Sequence, residues 1–317
     1  MEKSDLKIIY MGTPDFAVGP LKGLIENHYN VIAVVTMPDK PAGRGHKIQF
    51  SPVKQFALEN QLPLLQPDKL KDPDFINQLQ SLYADLQIVV AFRMLPEVVW
   101  SMPRFGTFNL HASLLPQYRG AAPINWAIIN GETETGITTF FLEKGMDTGK
   151  IIQQKHVPIS DTDNMEIVHD KLMQLGSKLV LDTVEAILLD KIIPIDQASL
   201  PETKGELKPA PKIFKETCLI NWNQSVKQIY DFIRGLSPYP AARTTLVNAK
   251  NEEVEIKIFE TTKEMRSVNC APGTVETDGK TYIKIAACDG YIQIISLQQS
   301  GKKRLNVEDF LRGFKVK

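Results

Sequence analysis

Three side chains near the middle of this 317-residue sequence could together carry acid–base and oxyanion chemistry. Asn109 and His111 lie two residues apart in a strand-like apolar run, so both side chains are expected on the same face of a strand. Asp147 follows in a short turn that begins at Gly145 and ends at Gly149. We therefore expect an amide, an imidazole and a carboxylate to meet at one edge of a sheet.

These groups suit the transfer of a small acyl group to an amine. An imidazole exchanges protons near neutral pH, and an adjacent carboxylate orients it and stabilises its protonated form. An amide N–H donates a hydrogen bond to a developing oxyanion. Ser113 lacks the Gly-x-Ser-x-Gly elbow of a serine nucleophile, and all three cysteines follow residue 215. The pattern favours direct attack by a substrate amine over an acyl-enzyme.

The spacing of these residues also leaves a structural alternative open for each. Asn109 could cap a turn, His111 could be a buried structural residue, and Asp147 could belong to an Asx turn. We predict no metal site, because the His/Asp pair has no third ligand at metal spacing. The cysteines form no Cys-x-x-Cys pair, which suits a reducing compartment.

Length and composition predict a globular protein of two domains, and we expect it to act as a monomer in the cytoplasm. The chain is too long for one ordinary hydrophobic core. No apolar run approaches the roughly 18 residues of a membrane span, and the first residues lack the apolar core of a signal peptide. Residues 1–203 carry 18 Lys+Arg and 24 Asp+Glu, whereas residues 204–317 carry 19 and 13. This asymmetry fits a second domain that faces a polyanion, or chance drift along the chain.

The elements that must position the trio begin as strand, helix and strand at residues 7–11, 16–25 and 31–36. Their unbroken apolar character predicts a doubly wound, mostly parallel α/β domain. The first turn has one glycine and is followed by Pro14, which argues against NAD binding. Further strands are expected at 62–66, 86–91, 107–111, 136–142 and 150–158. Further helices are expected at 75–82, 123–130 and 165–189.

A long loop is expected at residues 37–50, after the second strand. Loops of this length inside a compact domain are usually functional or disordered. Lys40, Arg44 and Lys47 suit phosphate contacts, and the glycines that frame Arg44 would let its guanidinium reach a partner. The alternative is a solvated surface loop, which we favour for His46 taken alone.

The chain changes character near residue 190. Proline and lysine residues, Lys212 among them, mark a basic linker over residues 190–215. Five short strands, expected at 244–247, 254–260, 273–277, 282–286 and 292–297, predict a small OB-like β-barrel in residues 216–317. Lys302 and Lys303 form a basic cluster in this domain, for which nucleic acid is a plausible partner.

Several motifs match one known family over essentially the whole chain. They are Asn109-Leu-His111, residues 113–123 (Ser-Leu-Leu-Pro-Gln-Tyr-Arg-Gly-Ala-Ala-Pro) and Gly145-Met-Asp-Thr-Gly149, with shorter matches at 11–16, 38–45, 51–54 and 271–274. Together they closely resemble the signature of the 10-formyltetrahydrofolate-dependent formyltransferases. Within that family the chain looks like the members that act on initiator tRNA charged with methionine.

The resemblance implies a Rossmann-like catalytic domain over residues 1–189, the linker, and an OB-like domain that helps to hold tRNA. It implies transfer of a formyl group from 10-formyltetrahydrofolate to the methionine α-amino group for translation initiation, without a metal. By motif position, Asn109, His111 and Asp147 would be catalytic. Arg44 would lie on a loop that enters the acceptor arm, and Lys212 would belong to the basic linker. The folate would lie against Ser113, Leu114, Leu115 and Pro116.

A mechanism follows from these roles. The neutral amine attacks the formyl carbon while Asn109 and protonated His111 stabilise the oxyanion. Asp147 holds the imidazole charge and works through water to move the amine proton. The bond from the formyl carbon to folate N10 then breaks, and folate N10 leaves. One departure from the family lies at Arg93, where members often read Ala-Tyr-Gly ahead of the Leu-Pro pair; it alters the expected pterin wall.

Two rival functions stay open. A folate-dependent formyltransferase could act on a small amine, such as an amino-sugar nucleotide or glycinamide ribonucleotide, with the same trio. The Arg44 loop and the basic second domain favour tRNA instead. A catalytically silent RNA-binding protein is the other rival, and the intact trio argues against it.

Overall fold

The computed structural model describes residues 2–42, 47–200 and 206–317. The chain divides into two compact units that interleave along the sequence. The first comprises Met1–Arg119, Gly136–Val157 and His169–Lys208. The second comprises Gly120–Thr135, Pro158–Val168 and Pro209–Lys317. The domain bounds expected from the sequence stay a prediction.

The described part of the chain up to Leu188 alternates strands and helices. Its strands are β1 (Lys7–Gly12), β2 (Asn30–Val35), β3 (Lys40–Ala42), β4 (Lys47–Gln49), β5 (Leu64–Leu65), β6 (Leu86–Val90), β7 (Thr107–His111), β8 (Glu134–Phe141) and β9 (Ile151–Pro158). Its helices are α1 (Val18–Glu26), α2 (Pro52–Glu59), α3 (Pro73–Ser81), α4 (Glu97–Trp100), α5 (Pro123–Ile129) and α6 (Met165–Leu188).

The main sheet has the strand order β5-β2-β1-β6-β7-β8-β9. β1 pairs in parallel with β2 and with β6, and β6 pairs in parallel with β7. β8 runs antiparallel to β7. Every residue of β6 is buried, as expected for a strand that is covered on both faces. The predicted Rossmann-like, mostly parallel sheet is confirmed.

Helices pack closely on both faces of this sheet. On one face, a Cβ added at Gly176 of α6 would lie 2.9 Å from Leu110 of β7, so the glycine permits the helix to approach the strand. On the other face, Phe75 and Leu79 of α3 join Ile9 and Met11 of β1 in one apolar cluster. Packing on both faces holds the sheet in place, and with it β7, the strand that carries two of the candidate catalytic residues.

The strand order changes direction between β1 and β6. The chain passes from β1 outward to β2 on one side, and β6 begins the other half of the sheet. In open α/β sheets, ligands bind beyond the carboxyl ends of the strands at such a switch point. The loops that leave β1, β6 and β7 are therefore the expected walls of a binding site.

The segment at residues 37–50 is not the simple loop that the sequence predicts. β3 and β4 pair antiparallel in it, with Lys40 opposite Gln49 and Ala42 opposite Lys47. Each strand has only three residues, and Pro41 interrupts one of them, so no alternating pattern marks them in the sequence. The expected third strand is likewise shorter than predicted, at two residues in β5.

The second unit is built around a curled antiparallel sheet. Its strands are β10 (Ala242–Val247), β11 (Glu253–Glu264), β12 (Val275–Thr277), β13 (Ile283–Ala286), β14 (Tyr291–Gln299) and β15 (Leu305–Asn306), in the order β10-β11-β14-β13-β12 with β15 beside β14. Register shifts near Glu260 bend β11 against β14. The predicted small OB-like β domain is confirmed as an open half-barrel.

Two helices, α7 (Val226–Leu236) and α8 (Val307–Gly313), cover the core of this sheet. α7 begins with a capping box: Ser225 Oγ accepts from the Gln228 amide, and Gln228 Oε1 accepts from the Ser225 amide. Its residues Ile229 and Ile233 are fully buried among the strand residues of the same cluster.

Candidate active site

Strand β7 carries Asn109 and His111 at the carboxyl edge of the main sheet. In the register of β7 with β8, Asn109 lies opposite Phe140 and His111 lies opposite Thr138. Asn109 is half-buried, and His111 is only 7% exposed. Alternation along the strand puts both side chains on one face, as the sequence predicts.

The His111 ring is held by contacts on two sides. Its Nε2 lies 2.9 Å from the backbone carbonyl oxygen of Tyr118. A carbonyl oxygen only accepts hydrogen bonds, so Nε2 carries a proton and donates it. Phe140 meets the ring edge-on, with the ring centroids 6.4 Å apart. With Nε2 engaged in this way, Nδ1 is the ring nitrogen left for another partner.

Asp147 faces this nitrogen from the turn between β8 and β9. Its Oδ2 lies 3.9 Å from His111 Nδ1, and its side chain is 16% exposed. The distance exceeds a direct hydrogen bond but leaves the carboxylate close enough to stabilise an imidazolium. The structure therefore brings His111 and Asp147 together as the sequence predicts; their catalytic roles stay a prediction.

The backbone conformation of the Asp147 turn restricts which residues can occupy it. Asp147 itself has φ +53°, in the left-handed region that non-glycine residues rarely adopt. A Cβ at Gly149 would lie 1.7 Å from the carbonyl oxygen of Phe141. Only glycine fits there, because the turn closes directly onto the end of β8.

A chain of side-chain hydrogen bonds, which the sequence reasoning missed, supports this turn. Gln197 Nε2 donates to the carbonyl oxygens of Asp147 (2.9 Å) and Gly149 (2.7 Å). Gln197 Oε1 accepts from Arg119 Nε (3.1 Å) and Nη2 (2.6 Å). No sequence pattern marks Gln197, because its partners lie about 50 and 78 residues away.

The segment expected to meet folate is anchored largely by internal hydrogen bonds. Ser113 is fully buried, and its Oγ donates to the Gln117 carbonyl (2.7 Å). The Leu115 amide donates to Thr138 Oγ1 (3.2 Å), and the Leu115 carbonyl accepts from Gln154 Nε2 (2.8 Å). Leu115 and Pro116 are buried and Leu114 is half-buried. The side chains available to a ligand here are therefore few.

Arg93 is built into the edge of the sheet. Its Nη1 donates to the Asp68 carbonyl (2.9 Å) and its Nη2 to the Pro67 carbonyl (2.7 Å). Burial lowers its pKa from the ordinary value. The guanidinium thus ties the loop after β6 to the loop after β5.

Two buried polar atoms at this edge have no hydrogen-bond partner among the described residues. They are Nε of Arg93, which follows β6, and Oγ1 of Thr13, which follows β1. Buried polar atoms normally find partners, so these two mark a place at the switch point where a polar ligand would supply the missing partner.

The residues expected to contact tRNA lie in different parts of the structure, and one of them is not described. Arg44 lies outside the described residues. Lys40 and Lys47 lie on the paired strands β3 and β4. In the second unit, Lys212 is exposed with its Nζ 5.4 Å from the Phe214 ring centroid. Lys302 and Lys303 are exposed between β14 and β15. Their role in binding tRNA stays a prediction.

The described residues hold neither a candidate metal cluster nor a candidate membrane-spanning helix. They contain no group of three or more His, Cys, Asp or Glu side chains that could hold a metal ion. None of their helices combines the length and apolar character that crossing a membrane requires.

Family models match both halves of the chain. Residues 6–184 match the model described as formyl transferase. Residues 212–315 match the model of the formyl transferase C-terminal domain. Together the two matches cover most of the sequence, including the strands of the main sheet and those of the curled antiparallel sheet.

Curated relatives and solved structures agree with these models. A methionyl-tRNA formyltransferase of Bacteroides thetaiotaomicron is 67% identical, with 100% of this chain and 98% of the relative covered. One of Bacteroides fragilis is 66% identical, with 99% and 97% covered. The crystal structure of HypX from Aquifex aeolicus with tetrahydrofolic acid has 19% identity and a TM-score of 0.63, covering 97% of this chain and 48% of that chain. This last similarity concerns the fold alone.

Proposed function

The chain belongs to the methionyl-tRNA formyltransferases, and from that premise we propose that it transfers a formyl group from 10-formyltetrahydrofolate to the α-amino group of the methionine on initiator tRNA. The observation that carries the chemistry is the pair formed by buried His111 and half-buried Asp147 at the carboxyl end of β7. Asn109 adds an amide on the same strand face. This is the set of groups that acyl transfer to an amine requires.

The folate is proposed to bind where β1, β6 and β7 end. The unpartnered atoms Thr13 Oγ1 and Arg93 Nε fit a ligand with many polar ring atoms. Residues 113–116, Ser113 to Pro116, are proposed to form the wall beside it; Leu114 is the half-buried side chain of that wall. When bound, the folate supplies the formyl group on its N10 nitrogen.

Asn109 is proposed to bind the formyl oxygen. Its side-chain N–H is neutral, so it donates to the oxygen without changing the protonation of its neighbours. The oxygen gains negative charge as the amine attacks, and a donor aimed at that charge stabilises the transition state more than the ground state. The rigid, paired backbone of β7 keeps the donor fixed.

His111 is proposed to act through Nδ1. Since Nε2–H is committed to the Tyr118 carbonyl, a second proton can only reside on Nδ1. Protonated there, the imidazolium stabilises the oxyanion together with Asn109. Asp147 stabilises that positive charge from 3.9 Å, and a water between the two groups would carry a proton away from the attacking amine.

The tRNA is proposed to contact the cations named from the sequence. Arg44, Lys40 and Lys47 would meet the acceptor arm near the catalytic unit. Lys212, Lys302 and Lys303 would meet phosphates on the second unit, where the exposed charges of the last two suit that role. The residues 190–215 would link a catalytic domain at 1–189 to a tRNA-binding domain at 216–317. We further propose that a single chain acts in the cytoplasm, where translation consumes the product.

The test is a formyl-transfer assay with two acceptors. 10-formyltetrahydrofolate is supplied with methionine-charged initiator tRNA in one reaction and with methionine-charged elongator tRNA in the other. Transfer to the initiator with strong preference is the expected result. Absence of transfer to either tRNA, while folate still binds, would overturn the tRNA assignment and leave a small amine as the acceptor.

A further inference from the structure

The segment that precedes the second family domain contacts the catalytic loops. We call residues 190–200 and 206–208 the connecting segment; it belongs to the same compact unit as β7 and the Asp147 turn. Ile195 and Ile151 exchange two backbone hydrogen bonds of 2.8 Å each. Because β9 begins at Ile151, the connecting segment runs beside the strand that leaves the Asp147 turn.

Gln197 is the side chain of this segment that reaches the turn. It is 1% exposed, and its amide is fully used. Both amide protons go to carbonyl oxygens of the turn, those of Asp147 and Gly149. The amide oxygen accepts two hydrogen bonds from Arg119, which itself follows the Tyr118 carbonyl in the chain. The Gln197 side chain therefore links the Asp147 turn to Arg119, which is next to the Tyr118 carbonyl that holds the His111 ring.

The connecting segment also fixes the other partner of the pair. The Tyr118 amide donates to the Lys208 carbonyl (2.7 Å), while the Tyr118 carbonyl accepts from His111 Nε2. The Lys208 amide donates to Gln117 Oε1 (2.8 Å). Tyr118, with φ +60°, and Asp147, with φ +53°, are both in the left-handed region. Such backbone persists only where surrounding contacts hold it, and the connecting segment supplies contacts at both positions.

We propose that Gln197 is a positioning residue for formyl transfer. Its amide holds the Asp147 turn so that the carboxylate faces His111 Nδ1 at the distance the reaction needs. Among the described residues, the Tyr118 carbonyl and the edge of Phe140 also contact the His111 ring, and neither is charged. The identity of the reaction rests on the proposed function; the hydrogen-bond chain itself does not.

Loss of the two amide donors should act on turnover more than on binding. A catalytic group displaced by about 1 Å can cost about 100-fold in rate, so we expect kcat to fall about 10- to 100-fold. KM for folate and for charged tRNA should change little, since Gln197 faces protein groups on all sides.

Two variants distinguish the effect of the two Gln197 hydrogen-bond donors from the effect of its contact with Arg119. Gln197→Met keeps the side-chain length and removes all four hydrogen bonds. Gln197→Glu keeps an acceptor for Arg119 and removes both donors to the turn. Gln55→Met is the matched control, because Gln55 is exposed on α2 and its side chain donates only to Glu59 among the described residues. Both Gln197 variants should lose kcat, and the control should keep it.

Two results would overturn the proposal. In one, Gln197→Glu turns over like the natural chain, which would show that the donors to the turn do not matter. In the other, both variants lower only the melting temperature and leave kcat unchanged, which would make Gln197 merely structural. If Gln197→Met does not fold, Gln197→Glu decides, because it leaves no unpaired charge beside Arg119.

Hydrogen exchange separates failure of this proposal from failure of the proposed function. Exchange of residues 144–150 is measured on substrate-free protein, so it does not depend on the acceptor. Gln197→Glu should exchange faster there than the natural chain, whatever substrate the enzyme uses. Exchange unchanged in this turn would contradict the positioning role even if formylation of initiator tRNA is observed.

Discussion

The hydrogen bond from His111 Nε2 to the Tyr118 carbonyl decides which ring nitrogen is left to face Asp147. With Nε2–H engaged at 2.9 Å, the ring presents Nδ1 to Asp147. The residue types and their spacing predicted that this pair would meet, and the structure bears out the meeting. The tautomer was not predictable, because it depends on a backbone carbonyl seven residues away.

Asn109 provides the first prediction at this scale. Asn109→Asp replaces the amide donor with an acceptor of nearly equal size, which would face the developing negative charge. We expect kcat to fall about 100- to 1,000-fold, the range for loss of one oxyanion donor, with folate binding retained. Steady-state kinetics and folate titration check this.

The matched control for that variant is Asn251→Asp, at an exposed turn of the second unit. The left-handed backbone there accepts Asp nearly as well as Asn. Near-natural turnover by Asn109→Asp, with the control unchanged, would remove Asn109 from the catalytic set.

Gln197 marks the limit of sequence reasoning at the residue scale. The trio could be found because strand alternation and glycine-bracketed turns leave a local pattern. Gln197 contacts Arg119, Asp147 and Gly149, none of which is near it in the sequence. Contacts of this kind arise from the tertiary fold alone, and a single sequence carries no trace of them.

At the scale of elements, the turn between β8 and β9 depends on Gly149. A methyl group there would overlap the Phe141 carbonyl, so the turn must open. We expect Gly149→Ala to destabilise the fold by about 1–3 kcal/mol, the usual cost of overpacking, and to abolish most activity. Thermal unfolding and the formylation assay measure the two effects.

Gly313→Ala is the control for the turn, because a Cβ at Gly313 meets no atom within 4 Å. It should leave activity unchanged. If Gly149→Ala matched this control in both stability and turnover, the account of the turn would be wrong.

The hairpin formed by β3 and β4 is anchored at its base by Asp39. Its carboxylate accepts from Lys54 Nζ on α2 and from Gln66 Nε2 (3.0 Å). These hydrogen bonds, the one from Lys54 foremost, lower the pKa of Asp39. Gln66 Nε2 also donates to the Met37 carbonyl, so the anchor joins the ends of β2 and β5.

Asp39→Asn should weaken this anchor in a pH-dependent way. A lowered native pKa means that the charged carboxylate contributes stability above its unfolded-state pKa, near 4. That contribution declines as the pH falls from about 4 towards the lower native pKa. The stability difference between the natural chain and Asp39→Asn should therefore be constant near neutrality and shrink in acid.

Chemical unfolding as a function of pH measures this difference. Asp170→Asn serves as a control, since Asp170 contacts the neighbouring His169 on α6, away from the hairpin. A difference that grows on acidification would contradict the assigned cause of the shift. At neutral pH we also expect Asp39→Asn to raise KM for charged tRNA, if the hairpin meets the acceptor.

Most elements lie within a few residues of their predicted bounds, because apolar periodicity and caps identify them. The long helix α6 is an example: it was expected over residues 165–189 and it spans Met165–Leu188. The pair β3 and β4 was missed, because three-residue strands leave too short a pattern. β15, with two residues, was missed for the same reason.

At the scale of the whole molecule, the two compact units interleave in a way that the sequence does not reveal. Gly120–Thr135 and Pro158–Val168 belong to the second unit although they lie within the first family match. Composition identifies changes along the chain, but not segments that leave one unit and return. The charge asymmetry is visible in the sequence, and its use remains to be tested.

Several cations of the second unit are engaged within it. Arg304 donates to Ser296 Oγ and to Glu260, and Arg266 pairs with Glu264 and Glu276. Lys302 and Lys303 form no ion pair with a carboxylate among the described residues. We therefore expect these two lysines, rather than Arg304, to meet phosphates.

The corresponding prediction concerns salt dependence. Replacing Lys302 and Lys303 together by Gln should reduce the slope of log(kcat/KM) for charged tRNA against log salt by about 1–2, since each phosphate contact contributes about 0.7–0.9. Lys22→Gln is the control, because the Lys22 ammonium pairs with Glu26 on α1. This variant should leave the slope unchanged. An unaltered slope in the double variant would exclude these lysines from the tRNA contact.

The most direct test of the central claim is a single-turnover measurement on Asp147→Asn. Enzyme in excess is mixed with 10-formyltetrahydrofolate and methionine-charged initiator tRNA, and formyl-methionine is followed with time. Loss of the carboxylate leaves the His111 imidazolium unsupported, so the rate should fall about 100- to 10,000-fold while folate still binds. A transfer rate close to that of the natural chain would contradict a reaction centred on the His111–Asp147 pair.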